Sequence, residues 1–346
     1  MVEASSEFGS PQRYYSATSA LNDRDRTCPE SATTAALAKL LKEFDPQLEE
    51  RVRQTFKQWN TVLRDQLRNE MGLRLSVGED TQSVPVRVVP GFPEPFRGAV
   101  EGIPPGAWRF LLQLPALEAT VSGLDSLVNL YSGQEPFGIP DGIPPELPPF
   151  VEDSKWFCKH LVDALHRIDV REKLKRISED VLGAYFFNMR TIDLYWMVLG
   201  LVARILGVSV ESLTVVVAIH ELAHAYSHLG RDIDGTVWET QDFRSSDLEI
   251  VEGVAQFYTE AVSLKLHPRN PTLVETFRKL LTIQQGPYLV HQDWSKGAPP
   301  LRGELFPRTG EIVRSTLLQC RRRSVRRYDE MKAIIDYTSA QLGASD

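Results

Sequence analysis

Two histidines four residues apart, His220 and His224, follow an apolar run from Val215 to Ile219. If this stretch is a helix, residues four apart lie on one face, so both imidazoles can bind one metal ion. Glu221 stands between them and can reach a water at that metal as a general base. Because buried charge is costly, a purely structural core helix would seldom carry His, Glu and His together. The stretch therefore predicts a buried helix that offers a metal site to a cleft.

A catalytic zinc site usually has three protein ligands and one open position, so a third ligand must be found. His228 is excluded, because eight residues after His220 it lies about 12 Å farther along the helix axis. We expect it at the rim of the cleft or behind the ligands. The metzincin pattern also fails, since it needs glycine and histidine where Ser227 and Gly230 stand.

An acidic third ligand from a later helix remains, and the candidates are Glu239, Glu249, Glu252 and Glu260. Glu252 is favoured because the small residues Gly253 and Ala255 follow it. They are expected to let its helix lie close against the helix of His220. Glu249 is the alternative ligand, or it would orient a ligand histidine by a hydrogen bond.

The pairing of His220-Glu-x-x-His224 with Glu252-Gly-x-Ala-x-Phe257 resembles the gluzincin metallopeptidases. It is most similar to the zinc aminopeptidase branch, whose third-ligand helix reads Asn-Glu-Gly-Phe-Ala. The resemblance spans residues 183–261 and implies a zincin-like catalytic core, in which a small sheet and an active-site helix hold Zn²⁺. It also implies that an edge strand before the metal helix binds the substrate backbone. Ile192–Tyr195 or Tyr185–Phe187 would fill that role.

Two departures from the aminopeptidase pattern bear on the activity. The strand that carries Gly-Ala-Met-Glu-Asn in that branch reads Gly183-Ala-Tyr-Phe-Phe-Asn188 here, without the glutamate that holds the substrate's free amine. Val251 also replaces the asparagine before the ligand glutamate. We therefore expect an endopeptidase that acts on a protein or peptide substrate. The alternative is a binding or regulatory protein on a zincin scaffold that does not cleave peptides.

The expected reaction is peptide hydrolysis with Glu221 as the general base. A further donor must stabilise the tetrahedral oxyanion. Tyr288 and His291, in a downstream loop, are the preferred candidates, and Tyr258 and Tyr328 are the others.

Hydrophobic periodicity predicts an α+β chain that is predominantly helical. We expect a disordered or tag-like tail over 1–31, a helical and proline-rich region over 32–150, and a zincin-like metallopeptidase domain over 151–346. A long amphipathic helix over 46–71 is expected to pack on its own domain, although it could also mediate self-association.

Several local elements are also predicted. Two strands, 73–77 and 84–89, are expected to pair as a hairpin. One helix is expected to carry an apolar face made of Trp156, Phe157, Leu161, Ala164, Leu165 and Ile168. A helix over 197–206 is expected to end at Gly207. Ser209 is expected to cap the helix of the metal histidines.

The overall composition limits the classes of function that this chain can have. The chain has 346 residues, 42% hydrophobic and 25% charged, as in soluble globular proteins. A net charge of −7 gives no electrostatic basis for nucleic-acid binding, and the basic run 321–327 is expected to be a solvated helix face. Three distant cysteines suggest a reducing compartment. With no signal-peptide pattern and no apolar run of membrane-spanning length, we expect a cytoplasmic protein.

Overall fold

The computed structural model describes residues 32–77, 80–81, 84–132, 147–177, 181–294 and 307–343. Within them the chain is mostly helical with small sheets, which confirms the predominantly helical α+β class. The expected tail over 1–31 lies outside the described residues, so that expectation stays a prediction.

The helices are α1 Ala32–Phe44, α2 Leu48–Met71, α3 Glu94–Val100, α4 Pro105–Leu111, α5 Leu114–Ser132, α6 Leu147–Ile168, α7 Val170–Lys175, α8 Trp196–Leu206, α9 Val210–Leu229, α10 Thr240–Ser245, α11 Leu248–Leu266, α12 Thr272–Leu281, α13 His291–Trp294, α14 Pro307–Arg323 and α15 Tyr328–Gly343. A 3-10 helix, Gly286–Leu289, precedes α13. The strands are β1 Ser76–Val77, β2 Asp80–Thr81, β3 Val86–Val89, β4 Gly183–Phe186 and β5 Thr191–Tyr195.

The larger sheet has the order β3-β5-β4. Strand β3 runs parallel to β5, with Val86 opposite Ile192, and β4 runs antiparallel to β5, with Gly183 opposite Leu194. The predicted hairpin between 73–77 and 84–89 is therefore wrong, because β1 pairs with β2 and β3 pairs with β5. A parallel partner needs a long crossover, and helices α3 to α7 supply it.

The proline-rich region of the N-terminal half is mostly helical after strand β3, where the structure describes it. Helices α3 and α4 each carry proline in the first turn, at Pro95 and Pro105. Proline is tolerated there because the first backbone N–H groups of a helix have no partner within the helix. The region is thus more regular than its composition suggests.

Helix α9 lies at the centre of the hydrophobic core and packs against α2, α8 and α11. The apolar stripe of α2, from Leu48 and Val52 to Leu67 and Met71, is buried in this same core. The core is therefore continuous across residue 150, while the boundary between the two predicted regions stays a prediction. The apolar stripe of α2 is already covered within the chain. Self-association through 46–71 also stays a prediction.

The apolar face predicted at Trp156 and Phe157 is wrong, because each of these side chains is 62% exposed. Helix α6 packs against α5 and buries Val151 and Val162 together with Leu165, the one residue of the predicted face that is buried. Trp156 and Phe157 therefore lie on the exposed side of α6.

In the described part of the chain, no single helix has the length and apolarity needed to cross a membrane. The successive helices α8 and α9 pass that test only when taken together, and the chain bends by 119° between them. The cysteines Cys158 and Cys320 are both free.

Candidate metal centre

Local sequence determines where the central helix α9 begins. Gly207, with φ of 61°, ends α8 in the left-handed conformation that glycine adopts at low cost. The Ser209 hydroxyl then accepts a hydrogen bond from the Ser212 backbone N–H at 3.1 Å, as predicted for an N-cap. All but one of the residues of α9 are buried, so its polar side chains must find partners inside the protein.

The side chains of His220, His224 and Glu252 meet in the core, the first two from α9 and the third from α11. Nε2 of His220 lies 3.1 Å from Nε2 of His224 and 3.2 Å from Oε2 of Glu252. Nε2 of His224 lies 3.5 Å from the same carboxylate oxygen. We call this group the metal trio.

The spacing of the metal trio fits a metal ion. Ligand atoms about 2.0–2.1 Å from a tetrahedral zinc ion lie about 3.3 Å apart, which is the spacing of these three atoms. Burial alone would raise the pKa of Glu252, but the adjacent His224 and His220 outweigh it and hold that pKa well below its usual range. An ionised carboxylate beside two imidazole nitrogens is a donor set that zinc accepts. The buried trio could therefore hold a metal ion.

Glu221, the next residue after His220, lies against strand β4 and is 1% exposed. A Cβ atom added to Gly183 would lie 2.8 Å from Cγ and 2.9 Å from Oε1 of Glu221. The absence of a side chain at Gly183 therefore leaves the space that Glu221 occupies. The only sequence signal for this contact is a Gly-Ala pair at the start of a predicted strand.

Gly253 is not what brings α11 close to α9, contrary to the sequence-based expectation. A Cβ atom at Gly253 would lie 2.6 Å from Cγ2 of Val290 and 2.8 Å from the ring of Trp294. Its neighbour Glu252 faces α9, and the next residue on a helix points about 100° away. The glycine instead lets the segment 286–294 pack directly on α11.

That packing brings Tyr288 beside the metal trio. Its ring centroid lies 6.2 Å from that of His220, and the side chain is 5% exposed. His291 is 2% exposed, and burial is the main reason that its pKa falls from 6.5 to about 4, with His220 adding to the effect. Neither ring nitrogen of His291 has a hydrogen-bond partner in the described part, and Glu260 lies 3.7 Å from Nε2. Both predicted oxyanion donors thus lie near His220, Tyr288 in ring-to-ring proximity and His291 within electrostatic range.

The remaining candidate ligands and candidate oxyanion donors lie outside the metal trio. Glu239 is exposed and Glu249 is half-buried. Burial raises the pKa of the Tyr258 hydroxyl above its usual value, while nearby Arg314 lowers that pKa and nearby Glu70 raises it. The hydroxyl of Tyr328 accepts a hydrogen bond from Trp294 Nε1 at 3.1 Å.

His228 is not at the rim of a cleft, because it is 1% exposed and both ring nitrogens are engaged. Nδ1 lies 2.9 Å from the hydroxyl of Tyr185 on β4, and Nε2 lies 3.0 Å from the hydroxyl of Thr240. The ring stacks on Phe243 at 4.7 Å. Burial, aided by the positive charge of Arg190, lowers its pKa from 6.5 to about 4. His228 therefore joins the edge strand β4 to the end of α9.

The basic run 321–327 mostly serves the fold. Arg321 is 4% exposed and donates to the backbone oxygens of Gly230 and Thr236, the latter at 2.7 Å, and burial lowers its pKa to about 10. Arg322 pairs with Asp232 and Asp234 at 3.0 and 2.7 Å. The remaining pairs of the run are Arg326 with Asp242 and Arg327 with Asp329. The contacts of Arg321, Arg322 and Arg326 hold the segment that connects α9 to α11 in place.

Comparison with known proteins adds no relative to this description. No family model matches the chain, and no match is found among curated proteins or solved structures.

Proposed function

We propose that this chain is a zinc-dependent endopeptidase with a zincin-like catalytic core. The observation that carries the proposal is the position of Glu221. It is a buried carboxylate next in sequence to the metal ligand His220, and it lies against the start of an edge strand. When bound, zinc would lower the pKa of a water molecule and polarise the scissile carbonyl. His220, His224 and Glu252 would hold it.

Strand β4 is the element best suited to bind an extended substrate. In the described sheet it pairs with β5 on one side only, whereas β5 is paired on both sides. A peptide can add to a free strand edge through backbone hydrogen bonds. Because Gly183 starts β4 and lies against Glu221, a peptide on this edge would run past the catalytic carboxylate.

In this scheme Glu221 takes a proton from the attacking water and passes it to the leaving amine. The hydroxyl of Tyr288 would donate a hydrogen bond to the developing oxyanion. His291, whose pKa of about 4 keeps it neutral at pH 7, would be a second N–H donor.

The side chains of β4 favour an endopeptidase. Its sequence, Gly-Ala-Tyr-Phe, has no acidic residue that could hold the free amine of a substrate. A substrate would therefore be held by its backbone rather than by its terminus.

The deciding experiment compares wild type with Glu221→Gln, which keeps the shape of the side chain but removes the base. We expect both proteins to hold about one zinc ion per chain. Only the wild type should cleave an unstructured protein, as measured by mass spectrometry of the new termini. Glu249→Gln, on the half-buried Glu249 of α11, is the matched control and should remain active. Full cleavage by Glu221→Gln would refute the proposal.

A second candidate is a binding or regulatory protein in which the metal only stabilises the fold. The observation that favours it is burial, since His220, His224 and Glu252 are all 7% exposed or less. Under this candidate, wild type and Glu221→Gln would both lack cleavage, while metal removal would lower the melting temperature.

A further inference from the structure

A hollow whose lining residues differ from those of the metal trio lies beside α1, at the N-terminal end of the described chain. It has a volume of about 760 Å³, within the range of small-molecule sites. Helix α1 forms one wall, the segment 90–92 and Arg97 of α3 form another, and Met197 at the start of α8 contributes as well. None of the metal trio lines it.

Three cations line this hollow: Lys39, Lys42 and Arg97. Within the described residues, none of the three forms an ion pair with an acidic group. The one acidic side chain in the lining, Glu43, lies 3.1 Å from Arg109 and is neutralised by it. A local excess of positive charge is therefore present on a chain whose net charge is −7.

Arg97 gives the second observation that points to a ligand. The side chain is half-buried, and its Nε atom is buried without a hydrogen-bond partner in the described part. A buried guanidinium N–H that lacks an acceptor is unfavourable, and an anion in the hollow would supply one.

Apart from Thr34, the rest of the lining is apolar. Ala38, Phe92 and Met197 are each 9% exposed or less, and Phe92 stacks on Phe96 at 5.3 Å. Such a floor favours a ligand that carries an apolar group beside its charge. A simple inorganic anion would leave this surface unused.

We infer that this hollow binds an organic anion, a phosphate or carboxylate group attached to an apolar chain. The anion would contact Lys39, Lys42 and Arg97, and the chain would lie on Phe92 and Met197. This site is independent of the proposed peptidase activity, so either proposal can fail without the other.

The test is isothermal titration calorimetry of the full chain with octyl phosphate below its micelle concentration. We expect saturable binding with one site, about tenfold tighter than inorganic phosphate and than uncharged octyl glucoside. Octanoate in a parallel titration distinguishes a carboxylate-selective site from a phosphate-selective one, and tight binding of either anion supports the proposal. Equal affinities for octyl phosphate and inorganic phosphate would overturn it, because the apolar floor would then contribute nothing.

Variants locate the site. Arg97→Gln, and separately the exposed pair Lys39→Gln with Lys42→Gln, should each weaken octyl phosphate binding about tenfold. Lys332→Gln, an exposed lysine of α15, is the matched control and should leave affinity unchanged. Unchanged melting temperatures would exclude misfolding for the exposed pair. If neither set of variants weakens binding more than Lys332→Gln does, the hollow is not the site.

Discussion

Gly183 and Glu221 lie so close together that a side chain on the first would collide with the second. A Cβ atom at residue 183 would lie 2.8 Å from Cγ of Glu221 and 3.0 Å from Cγ1 of Val217. The edge strand β4 thus approaches α9 at the residue proposed as the general base. Because the strand and the base are in direct contact, their relative position is a property of the fold rather than of a flexible loop.

Gly183→Ala should therefore impair catalysis without removing the metal. The added methyl group must displace the Glu221 side chain, and a displacement of about 1 Å can cost about 100-fold in rate. We expect a lower kcat with unchanged zinc content, measured by steady-state cleavage and metal analysis. The control is Gly98→Ala, where a Cβ atom would meet nothing within 4 Å. Activity of Gly183→Ala equal to that of Gly98→Ala would contradict the assigned role of the contact.

Glu252→Ala should lower zinc affinity far more than Glu249→Ala. Glu252 offers Oε2 at 3.2 Å from His220 Nε2, whereas Glu249 is half-buried and outside the trio. Losing one of three ligands should cost more than the 10- to 100-fold that removal of an outer hydrogen bond typically costs, so roughly 100-fold or more is expected. Competition with a chromogenic chelator measures the affinities. The reverse order would identify Glu249 as the ligand.

Features fixed by local spacing were predictable from the sequence. The Ser209 cap, the glycine end of α8 at Gly207 and the shared face of His220 and His224 all depend on residues within a few positions of each other. The choice of Glu252 needed only the expectation that a second helix would lie beside the first.

Features that depend on which elements meet in space were not predictable. Gly253 faces the segment 286–294 rather than α9, and His228 hydrogen-bonds a tyrosine 43 residues earlier in the chain. Strand β3 bypasses its sequence neighbours to pair with β5. Hydrophobic periodicity indicates whether a segment is a helix or a strand, but it carries no information about which other segment it packs against. Trp156 shows the same limit, because the helix was predicted correctly and its buried side was not.

The run 321–327 should not bind nucleic acid. Asp232, Asp234 and Asp242 already neutralise Arg322 and Arg326, and Arg321 is buried. Binding driven by counterion release needs several cations free to contact phosphates. We expect no shift of a labelled DNA duplex at low ionic strength, measured by fluorescence anisotropy.

The matched control is a variant in which Arg322 and Arg326 lose their aspartate partners. Replacing the three aspartates, Asp232→Asn with Asp234→Asn and Asp242→Asn, should create weak binding that disappears as salt is raised. Salt-sensitive binding by the wild type would instead show that the arginines are available in the native protein.

His228 should make stability depend on pH between pH 7 and pH 5. Its pKa is about 4 in the folded protein and 6.5 as the reference value, so the unfolded chain binds more protons in this window. The free energy of unfolding contributed by this residue is therefore present above pH 6.5 and is lost as the pH falls toward 4. Lowering the pH from 7 to 5 should remove about 2 kcal/mol through this one histidine.

His228→Gln tests that dependence, because glutamine does not titrate. Urea unfolding at pH 7 and pH 5 should show a loss of stability smaller than that of the wild type by about 2 kcal/mol. Tyr185→Phe is the control, since it removes the hydroxyl 2.9 Å from Nδ1 but keeps the buried histidine. It should lower stability by about 1 kcal/mol at pH 7 while the loss toward pH 5 persists. If His228→Gln loses as much stability as the wild type, His228 is not the residue that resists protonation in the folded protein.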